Sequence, residues 1–261
     1  MTAIDAAVLG LVQGLTEFLP VSSDGHLVMG QALLGLQGSH LAFDVFIHGA
    51  TLLAILVYFR GRLVGLMRLS AWSYVAKLAL ATLPVVVVAT TFHPWIQRSF
   101  GEPWLVPVFL ATTGLILLSL FFCPRDHASG SGFVEPGWWT ALAIGFFQSF
   151  ALLPGVSRSG TTIVAGIWMG LAPRAAAEFS FLLAIPAVLG AIVYESGAVR
   201  EAASSGMAGV FAVGWMAAFV SGIAAIGLVL RLVDRHRFRW LGFYCLLAAG
   251  LFGAWLASRA G

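Results

Sequence analysis

The fold is decided by two stretches of sequence, Gly14-Leu-Thr-Glu-Phe-Leu-Pro-Val-Ser-Ser-Asp-Gly-His26 and Ser149-Phe-Ala-Leu-Leu-Pro-Gly-Val-Ser-Arg-Ser-Gly-Thr161. A shift of 135 residues lays the first on the second and places Ser22 on Ser157. The chain is therefore predicted to consist of two related halves. The other matching pairs are Gly10 and Gly145, Gln13 and Gln148, Val21 and Val156, and Gly25 and Gly160.

The composition is that of a protein embedded in a membrane. Hydrophobic residues make up 60% of the 261 residues, charged residues make up 10%, and the mean hydropathy is +0.95. A soluble domain has roughly 45–50% apolar and about 25% charged residues. The basic residues gather in a few loops, as membrane topology requires, so the pI of about 9.2 does not indicate a nucleic-acid partner. We predict an all-α polytopic membrane protein that binds no nucleic acid.

Six apolar segments are long enough to cross a hydrocarbon core, which takes roughly 20 helical residues. Three of them follow each motif. We therefore predict a single membrane domain, 1–261, built from a first repeat, 1–122, and a second repeat, 137–258. The predicted spans are 42–60, 74–92, 104–122, 174–194, 208–230 and 240–258.

The segments that carry the motifs, 3–35 and 137–171, are also apolar, but proline, glycine and serine interrupt each of them in the middle. Proline removes a backbone donor, and serine and aspartate side chains compete for backbone hydrogen bonds, so a continuous helix is unfavourable there. Irregular backbone at membrane depth needs protein or water to satisfy its polar groups. We therefore predict two re-entrant helix hairpins, one before each set of three spans.

The distribution of basic residues predicts the orientation of the chain. Basic residues cluster between the first two spans and between the last two, whereas segments 93–103 and 195–207 hold one arginine each. Because positively charged loops are cytoplasmic, both termini are predicted outside and the 123–136 loop inside. The first hairpin then enters from outside and the second from inside. This predicts an inverted-topology repeat with a site near the midplane, where the broken segments meet.

Both hairpin loops have the composition of an anion-binding site. A loop rich in serine and glycine that leads into a helix offers hydroxyls and backbone amides, with the positive end of the helix dipole behind them. Arg158 adds a planar set of donors that matches phosphate oxygens. We therefore predict a phosphate site. Its predicted binding residues are Ser22, Asp24, Gly25, Ser157, Ser159, Gly160, Thr161 and Thr162.

A carboxylate and an imidazole accompany the first loop. Glu17 lies four residues after Gln13, so the two share a helix face before the loop, and His26 follows it. With the hydroxyls and Arg158 they supply a general acid or base, a nucleophile and a charge stabiliser, which suffices for phosphoryl transfer. Four residues are predicted to support the site, by bracing the half-helices or by tuning the cavity: Asp44, His48, Gln148 and Glu178.

These residues resemble the bacterial undecaprenyl-diphosphate phosphatase family, integral membrane enzymes linked to bacitracin resistance. The likeness covers nearly the whole chain. The stretch 13–26 is similar to the family's (E/Q)xxxE segment with its following Ser and His, and 154–162 is similar to its PGxSRSxxT segment. A third similar stretch is 178–186.

The resemblance implies hydrolysis of undecaprenyl diphosphate to undecaprenyl phosphate and phosphate, which recycles the lipid carrier for peptidoglycan synthesis and confers bacitracin resistance. It implies that Glu17 is the essential carboxylate and His26 the essential imidazole. It also implies that Arg158 clamps phosphate and that Ser23 is a nucleophile or a ligand. The nucleophile stays open between Ser23, His26 and water.

The resemblance further implies a divalent cation, Mg²⁺ or Ca²⁺, held by Glu17 together with Gln13. Two residues depart from the family's pattern. Gln13 stands where many members have Glu, and Asp24 stands where Ser or Thr is usual. Asp24 is expected either to replace the lost carboxylate or to alter the pH dependence.

The resemblance and the entry of the first hairpin place the protein in the bacterial inner membrane, with a site that opens to the periplasm or exterior. The expected partners are a polyprenyl diphosphate lipid and the bilayer, and self-association as a homo-oligomer is left open. A flippase or transporter for polyprenyl phosphates is the alternative, because inverted repeats with broken helices are also the architecture of alternating access.

Overall fold

The structure, a computed structural model, describes residues 1–36, 38, 40–68, 71–123, 135–195, 197 and 207–260. Within these residues the chain forms helices and connecting loops and no strand, as the composition predicted. The α-helices are α1, Ala3–Phe18; α2, Ser23–Leu33; α3, Leu41–Tyr58; α4, Arg60–Leu66; α5, Trp72–Thr91; α6, His93–Phe100; α7, Leu105–Leu118; α8, Trp138–Phe150; α9, Arg158–Trp168; α10, Pro173–Tyr194; α11, Ala208–Asp234; and α12, Leu241–Ala260.

Both predicted hairpins are pairs of short helices with a break between them. The pair α1 and α2 falls within 3–35, and the pair α8 and α9 falls within 137–171. In the first pair, α1 ends before Pro20, which lacks the backbone N–H needed to continue the helix. In the second, Gly155 has φ of 108°, a left-handed conformation that favours glycine. The re-entrant course of the pairs and the inverted relation of the halves stay predictions.

Among the residues that the structure describes, five helices are long and apolar enough to cross a membrane: α3, α5, α10, α11 and Phe238–Arg259. The protein is therefore a multi-pass membrane protein. The loops expected at 123–136 and 195–207 lie for the most part outside the described residues.

The third predicted span, 104–122, differs from the other five. Here α7 has 14 residues and tightens into a 3₁₀ turn, Ser119–Phe121, so it is too short to count as a span alone. Together with α6 it forms a sixth candidate span, bent by 102°. Segment 93–103, expected as a loop between the second and third predicted spans, is thus partly helical. Pro94 lies in the first turn of α6, where its fixed φ favours a helix start.

Each hairpin packs against the opposite half of the chain. A Cβ on Gly10 of α1 would lie 2.1 Å from the carbonyl oxygen of Gly214 in α11. Likewise, a Cβ on Gly145 of α8 would lie 2.2 Å from the carbonyl oxygen of Ala81 in α5. Small residues let helix backbones approach closely in membranes. Each half of the chain therefore contributes helices that pack against the other half's hairpin.

Aromatic packing fixes the helices beside the site. Phe18 is fully buried and meets the ring of Phe181 in α10 edge-on, with the ring centroids 5.6 Å apart.

An ion pair lies before α8. Glu135 accepts a hydrogen bond from the buried Lys77 of α5 at 2.8 Å, and this contact lowers the pKa of the Glu135 carboxyl. The start of the second hairpin is thereby tied to the first half.

Candidate active site

The centre of the site is the carboxylate of Glu17, in the last turn of α1, whose side chain is 7% exposed. Its Oε2 accepts hydrogen bonds from Ser23 Oγ at 2.6 Å and from Gln13 Nε2 at 3.1 Å. Its Oε1 accepts one from Arg158 Nη2. A carboxylate in this turn faces the negative end of the helix dipole. The surrounding donors therefore stabilise a charge that the helix alone disfavours.

Arg158, the first residue of α9, joins the second hairpin to this carboxylate. Besides the contact to Glu17, its Nη1 donates to the backbone oxygen of Ser180 at 3.4 Å. These contacts use two of the five guanidinium N–H groups, which leaves donors for phosphate oxygens. A helix dipole disfavours a cation at its N-terminus. Glu17 and Arg158 thus both occupy positions that their own helices disfavour, and each stabilises the other.

The loops of the two hairpins contact one another directly. Ser159 Oγ donates to the backbone oxygen of Leu19 at 3.1 Å. A Cβ on Gly25 would lie 3.1 Å from the Cα of Gly155, so a side chain there would push against the other loop's backbone. The structure therefore brings together the two motifs that are 135 residues apart in sequence.

The first serines of the two loops cap the helices that follow. Ser22 Oγ accepts from the amide of Gly25 at 3.3 Å, and Ser157 Oγ accepts from the amide of Gly160 at 3.1 Å. Their backbones differ, because Ser22 has φ of 67° and Ser157 has φ of −77°. Only the first loop holds its capping serine in the left-handed region, directly before Ser23.

The threonines predicted to bind phosphate make hydrogen bonds inside the protein. Thr161 Oγ1 donates to the backbone oxygen of Ser157 at 2.9 Å. Thr162 Oγ1 donates to the backbone oxygen of Arg158 at 2.7 Å and lies 2.6 Å from Ser180 Oγ. Both threonines are buried. In this structure the Thr162 hydroxyl links α9 to α10 through Ser180, whereas the Thr161 hydroxyl bonds to backbone at the start of its own helix.

Thr113 of α7 is a bracing residue that sequence reasoning missed. Its Oγ1 donates to the backbone oxygen of Gly155 at 2.9 Å and accepts from the amide of Ser157 at 3.0 Å. Two backbone groups of the broken segment are thereby satisfied by one side chain. The available signal was the pair of adjacent threonines, Thr112 and Thr113, inside a largely apolar predicted span.

His26 lies apart from the Glu17 carboxylate. Its Nδ1 is 2.8 Å from the backbone oxygen of Ser22, and its Nε2 is 2.8 Å from the hydroxyl of Tyr244 in α12. The His26 and Tyr244 rings are stacked, with centroids 5.7 Å apart. Sequence reasoning expected His26 to converge with Glu17, but the structure directs its ring to α12. Tyr244 is a second residue that sequence reasoning missed.

His48, expected only to support the site, lies against its carboxylates. Its Nε2 is 3.6 Å from Glu17 Oε2 and 3.5 Å from Asp24 Oδ1. Its Nδ1 is 2.7 Å from the backbone oxygen of Asp44, one turn earlier in α3. The Asp44 carboxylate accepts from Gln31 Nε2 at 2.9 Å and 3.0 Å, so it braces α2 against α3.

Glu178 and Gln148, the counterparts of Asp44 and Gln13 in the second half, have different surroundings. Glu178 pairs with Arg174 at 3.2 Å, and the same arginine contacts Asp234 at 2.6 Å. Gln148 is buried, and neither polar atom of its amide has a hydrogen-bond partner within the described part of the chain. The structure does not join either residue to Glu17.

The side chains around Glu17 present hydrogen-bond donors to its carboxylate, and this arrangement does not fit the divalent cation that the resemblance implies. Gln13 turns an N–H group toward Glu17, and its Oε1 is buried without a partner among the described residues. The Glu17 oxygens already accept from Ser23, Gln13 and Arg158. No group of three histidine, cysteine or acidic residues able to hold a metal occurs within the ranges that the structure describes.

The similarity to known proteins covers nearly the whole chain. The family model described as "Bacitracin resistance protein BacA" matches residues 6–251. Three similar proteins, each named undecaprenyl-diphosphatase, come from Cereibacter sphaeroides, Salinibacter ruber and Bordetella avium. The first is 37% identical over 257 residues, which are 96% of this chain and 95% of that protein. The second is 38% identical, covering 98% and 100%, and the third is 37% identical, covering 97% and 97%.

These matches extend well beyond the two motifs and include the helices that pack around them. A family model that spans 6–251 takes in most of α1, both hairpin loops and the first half of α12. The chain therefore belongs to the bacitracin resistance protein BacA family.

Proposed function

We propose that Glu17, Ser23 and Arg158 form the centre at which this membrane phosphatase hydrolyses undecaprenyl diphosphate to undecaprenyl phosphate and inorganic phosphate. One observation carries the proposal. The buried Glu17 carboxylate accepts a hydrogen bond from a hydroxyl of its own hairpin and another from a guanidinium of the other hairpin. The relatives named undecaprenyl-diphosphatase, matched over nearly their whole length, support the same reaction.

Arg158 is proposed to bind the terminal phosphate. Its guanidinium is held in place by Glu17 and Ser180. An incoming diphosphate competes for the same donors, and the positive end of the α9 dipole lies behind them. As charge shifts among the phosphoryl oxygens in the transition state, a fixed guanidinium stabilises it without reorganisation.

Glu17 is proposed to activate the nucleophile. Ser23 Oγ donates to Glu17 Oε2 at 2.6 Å, so the carboxylate is positioned to take the serine proton. The serine oxygen then forms a bond to the terminal phosphorus, and the bond from phosphorus to the bridging oxygen breaks, which releases undecaprenyl phosphate. Water cleaves the phosphoserine and regenerates the enzyme.

Water held at the same carboxylate is the alternative nucleophile and would give the products in one displacement. His26 is proposed to move protons from its position beside Tyr244.

Attack by Ser23 and attack by water are distinguished by labelling with substrate that carries ³²P in the terminal phosphate, followed by acid quench. Ser23 as nucleophile predicts label on the protein, and water predicts none.

The resemblance and the charge distribution support a proposal on the location of the protein. We propose that the protein lies in the inner membrane with the site open to the periplasm or exterior and both termini on that side. Self-association as a homo-oligomer also stays a proposal. The relatives' names do not favour the alternative of a polyprenyl-phosphate flippase.

The test is phosphate release by the purified protein in detergent, where no gradient exists to drive transport. Ser23→Ala should lower release from undecaprenyl diphosphate by about 10²-fold or more, because the loss removes either the nucleophile or its partner. The matched control is Ser99→Ala, since Ser99 is a buried serine of α6 whose hydroxyl donates to the backbone oxygen of Ile96 in the same helix at 2.6 Å. No release by the unaltered protein would contradict the proposal, as would equal rates for both variants.

A further inference from the structure

The loop of the second hairpin lies on one face of α7, a helix of the first half of the chain. A Cβ on Gly155 would lie 2.7 Å from the backbone oxygen of Val106 and 3.0 Å from the backbone nitrogen of Leu110. Val106, Leu110 and Thr113 are spaced i, i+4 and i+7, so they share a helix face, and all three are buried. The loop is thus in contact with α7 over two helical turns, and Thr113 brings a polar group to that contact.

The Thr113 hydroxyl joins this face to two backbone groups of the loop. Its Oγ1 donates to the backbone oxygen of Gly155 at 2.9 Å and accepts from the amide of Ser157 at 3.0 Å. These groups belong to the two peptide planes that flank Val156, so one hydroxyl fixes both planes. Ser157 caps α9, and Arg158 is the first residue of that helix. The position of Arg158 therefore depends on a hydroxyl from α7.

The corresponding position beside the first hairpin has no hydroxyl. A shift of 135 residues places Thr113 on Ala248 in α12. The contact from α12 to the first break is a weak one, from Cys245 Sγ to the backbone oxygen of Pro20 at 3.8 Å. A need common to both helix breaks would call for a hydroxyl in both halves. Instead, the hydroxyl lies beside the loop that carries the guanidinium.

Substrate binding makes this support important. Arg158 Nη2 donates to Glu17, and Nη1 donates to the backbone oxygen of Ser180 at 3.4 Å, which is long for a hydrogen bond. In the proposed reaction a diphosphate competes with Glu17 for the guanidinium donors, which leaves the side chain with the long contact to Ser180. The backbone at 155–157 then decides where the guanidinium lies. A donor that is fixed in advance stabilises charge in the transition state without reorganisation.

We propose that Thr113 is a positioning residue for Arg158: its hydroxyl fixes the loop backbone so that the guanidinium stays directed at the terminal phosphate when Glu17 releases it. The inference rests on the proposed phosphatase function and extends it to a residue outside the two motifs. Orientation matters more in the transition state than in the bound substrate, because a mobile guanidinium can still follow a bound phosphate. Loss of the hydroxyl should therefore lower kcat more than it raises KM.

The experiment measures kcat and KM for undecaprenyl diphosphate with the purified full-length protein in detergent. Thr113→Val keeps the size of the side chain and removes the hydroxyl. It should lower kcat about tenfold and change KM by less than about threefold. Thr113→Ser keeps the hydroxyl and should retain kcat within about twofold. The matched control is Thr112→Val, since the exposed Thr112 donates within its own helix, to the backbone oxygen of Val108 at 3.0 Å, and it should match the unaltered protein.

Two further variants separate this role from a folding defect. Thr113→Ala has the side chain found at Ala248, also lacks the hydroxyl, and should show the same loss of kcat as Thr113→Val. The second is Thr113→Val in an Arg158→Lys background, where it should lower kcat further by less than about twofold, because lysine has no planar set of donors to orient. A general disturbance of the fold would instead repeat the full loss in that background.

Three results would overturn the inference: equal kcat for Thr113→Val and Thr112→Val, a Thr113→Ser variant as slow as Thr113→Val, or a full repeat of the loss in the Arg158→Lys background. Failure of the proposed function is a different result, because it would appear as no phosphate release by the unaltered protein.

Discussion

The two hairpins share a break but carry different chemistry. At corresponding positions, the first has Ser23 and the second has Arg158. The first hairpin supplies Glu17 and the hydroxyl bonded to it, whereas the second supplies the cation. The hydroxyls around Arg158 instead make hydrogen bonds that hold helices together, as in the contact between Thr162 and Ser180 at 2.6 Å. The structure thus brings together two similar helix breaks that differ in charge.

The backbones of the two loops also differ. Ser22, directly before Ser23, has φ of 67°, while its counterpart Ser157 has an ordinary φ of −77°. Left-handed backbone at a residue other than glycine is costly and tends to occur at functional sites. The strain lies in the loop that presents the hydroxyl, and the loop that presents the guanidinium is relaxed and braced by Thr113.

The largest expected effect tests the charge of the second hairpin. Arg158→Ala should lower phosphate release by about 10³-fold, because it removes the phosphate clamp and leaves Glu17 buried without its cation. Arg174→Ala is the matched control in the same half, where an exposed arginine pairs with Glu178 and Asp234. Release assays in detergent should show the control within about threefold of the unaltered protein. Similar losses in both variants would break the comparison.

The second test concerns the break itself. A Cβ on Gly155 would lie 2.7 Å from the backbone oxygen of Val106, and φ there is 108°. Gly155→Ala should therefore destabilise the protein by about 2–4 kcal/mol. Gly170 also has a positive φ, of 88°, but nothing lies within 4 Å, so Gly170→Ala should cost only about 1 kcal/mol. Thermal unfolding followed by tryptophan fluorescence compares them, and equal losses would mean that the loop contact is unimportant.

The third test concerns the histidine that only the first hairpin has. Tyr244→Phe removes the hydrogen bond to His26 Nε2 while keeping the stacked ring. If His26 moves protons from this position, release should fall by about fivefold, the effect of one neutral hydrogen bond. Tyr58→Phe is the matched control, at the end of α3 beside Phe59. Equal rates for the two variants would separate His26 from the reaction.

The smallest expected effect compares the two capping serines. Ser22→Gly should change the free energy of unfolding by less than about 0.5 kcal/mol, because relief of the left-handed strain offsets the weaker cap. Ser157→Gly has no strain to relieve and should cost about 1 kcal/mol. Melting temperatures in detergent measure both. A larger loss at Ser22 would show that its side chain does more than cap α2.

The helix breaks and the pairing of the two motifs were predictable from sequence because they depend on local chemistry. Proline and the Ser-Gly runs interrupt helices wherever they occur, and buried charges of opposite sign at Glu17 and Arg158 need each other. Five spans and the helical class followed from hydropathy. The bend between α6 and α7 was missed, because hydropathy gives the length of an apolar run and not its direction.

The directions of the two histidines were not predictable from sequence. His26 contacts Tyr244, which is 218 residues away, so its direction depends on how α12 packs beside the first hairpin. His48 was assigned a supporting role because it lies one turn after Asp44, yet packing of α3 turns its Nε2 to Glu17 and Asp24. Long-range packing decides which imidazole lies at the carboxylates.

The most direct test of a single site built from both hairpins is a double-mutant cycle on the melting temperature in detergent, using Glu17→Gln, Arg158→Gln and the two together. Each single change leaves one buried charge unpaired, at a cost of about 3–5 kcal/mol, whereas the double change removes both charges. The account predicts that the double variant melts no lower than the less stable single variant. A double variant whose loss equals the sum of the two single losses would contradict it.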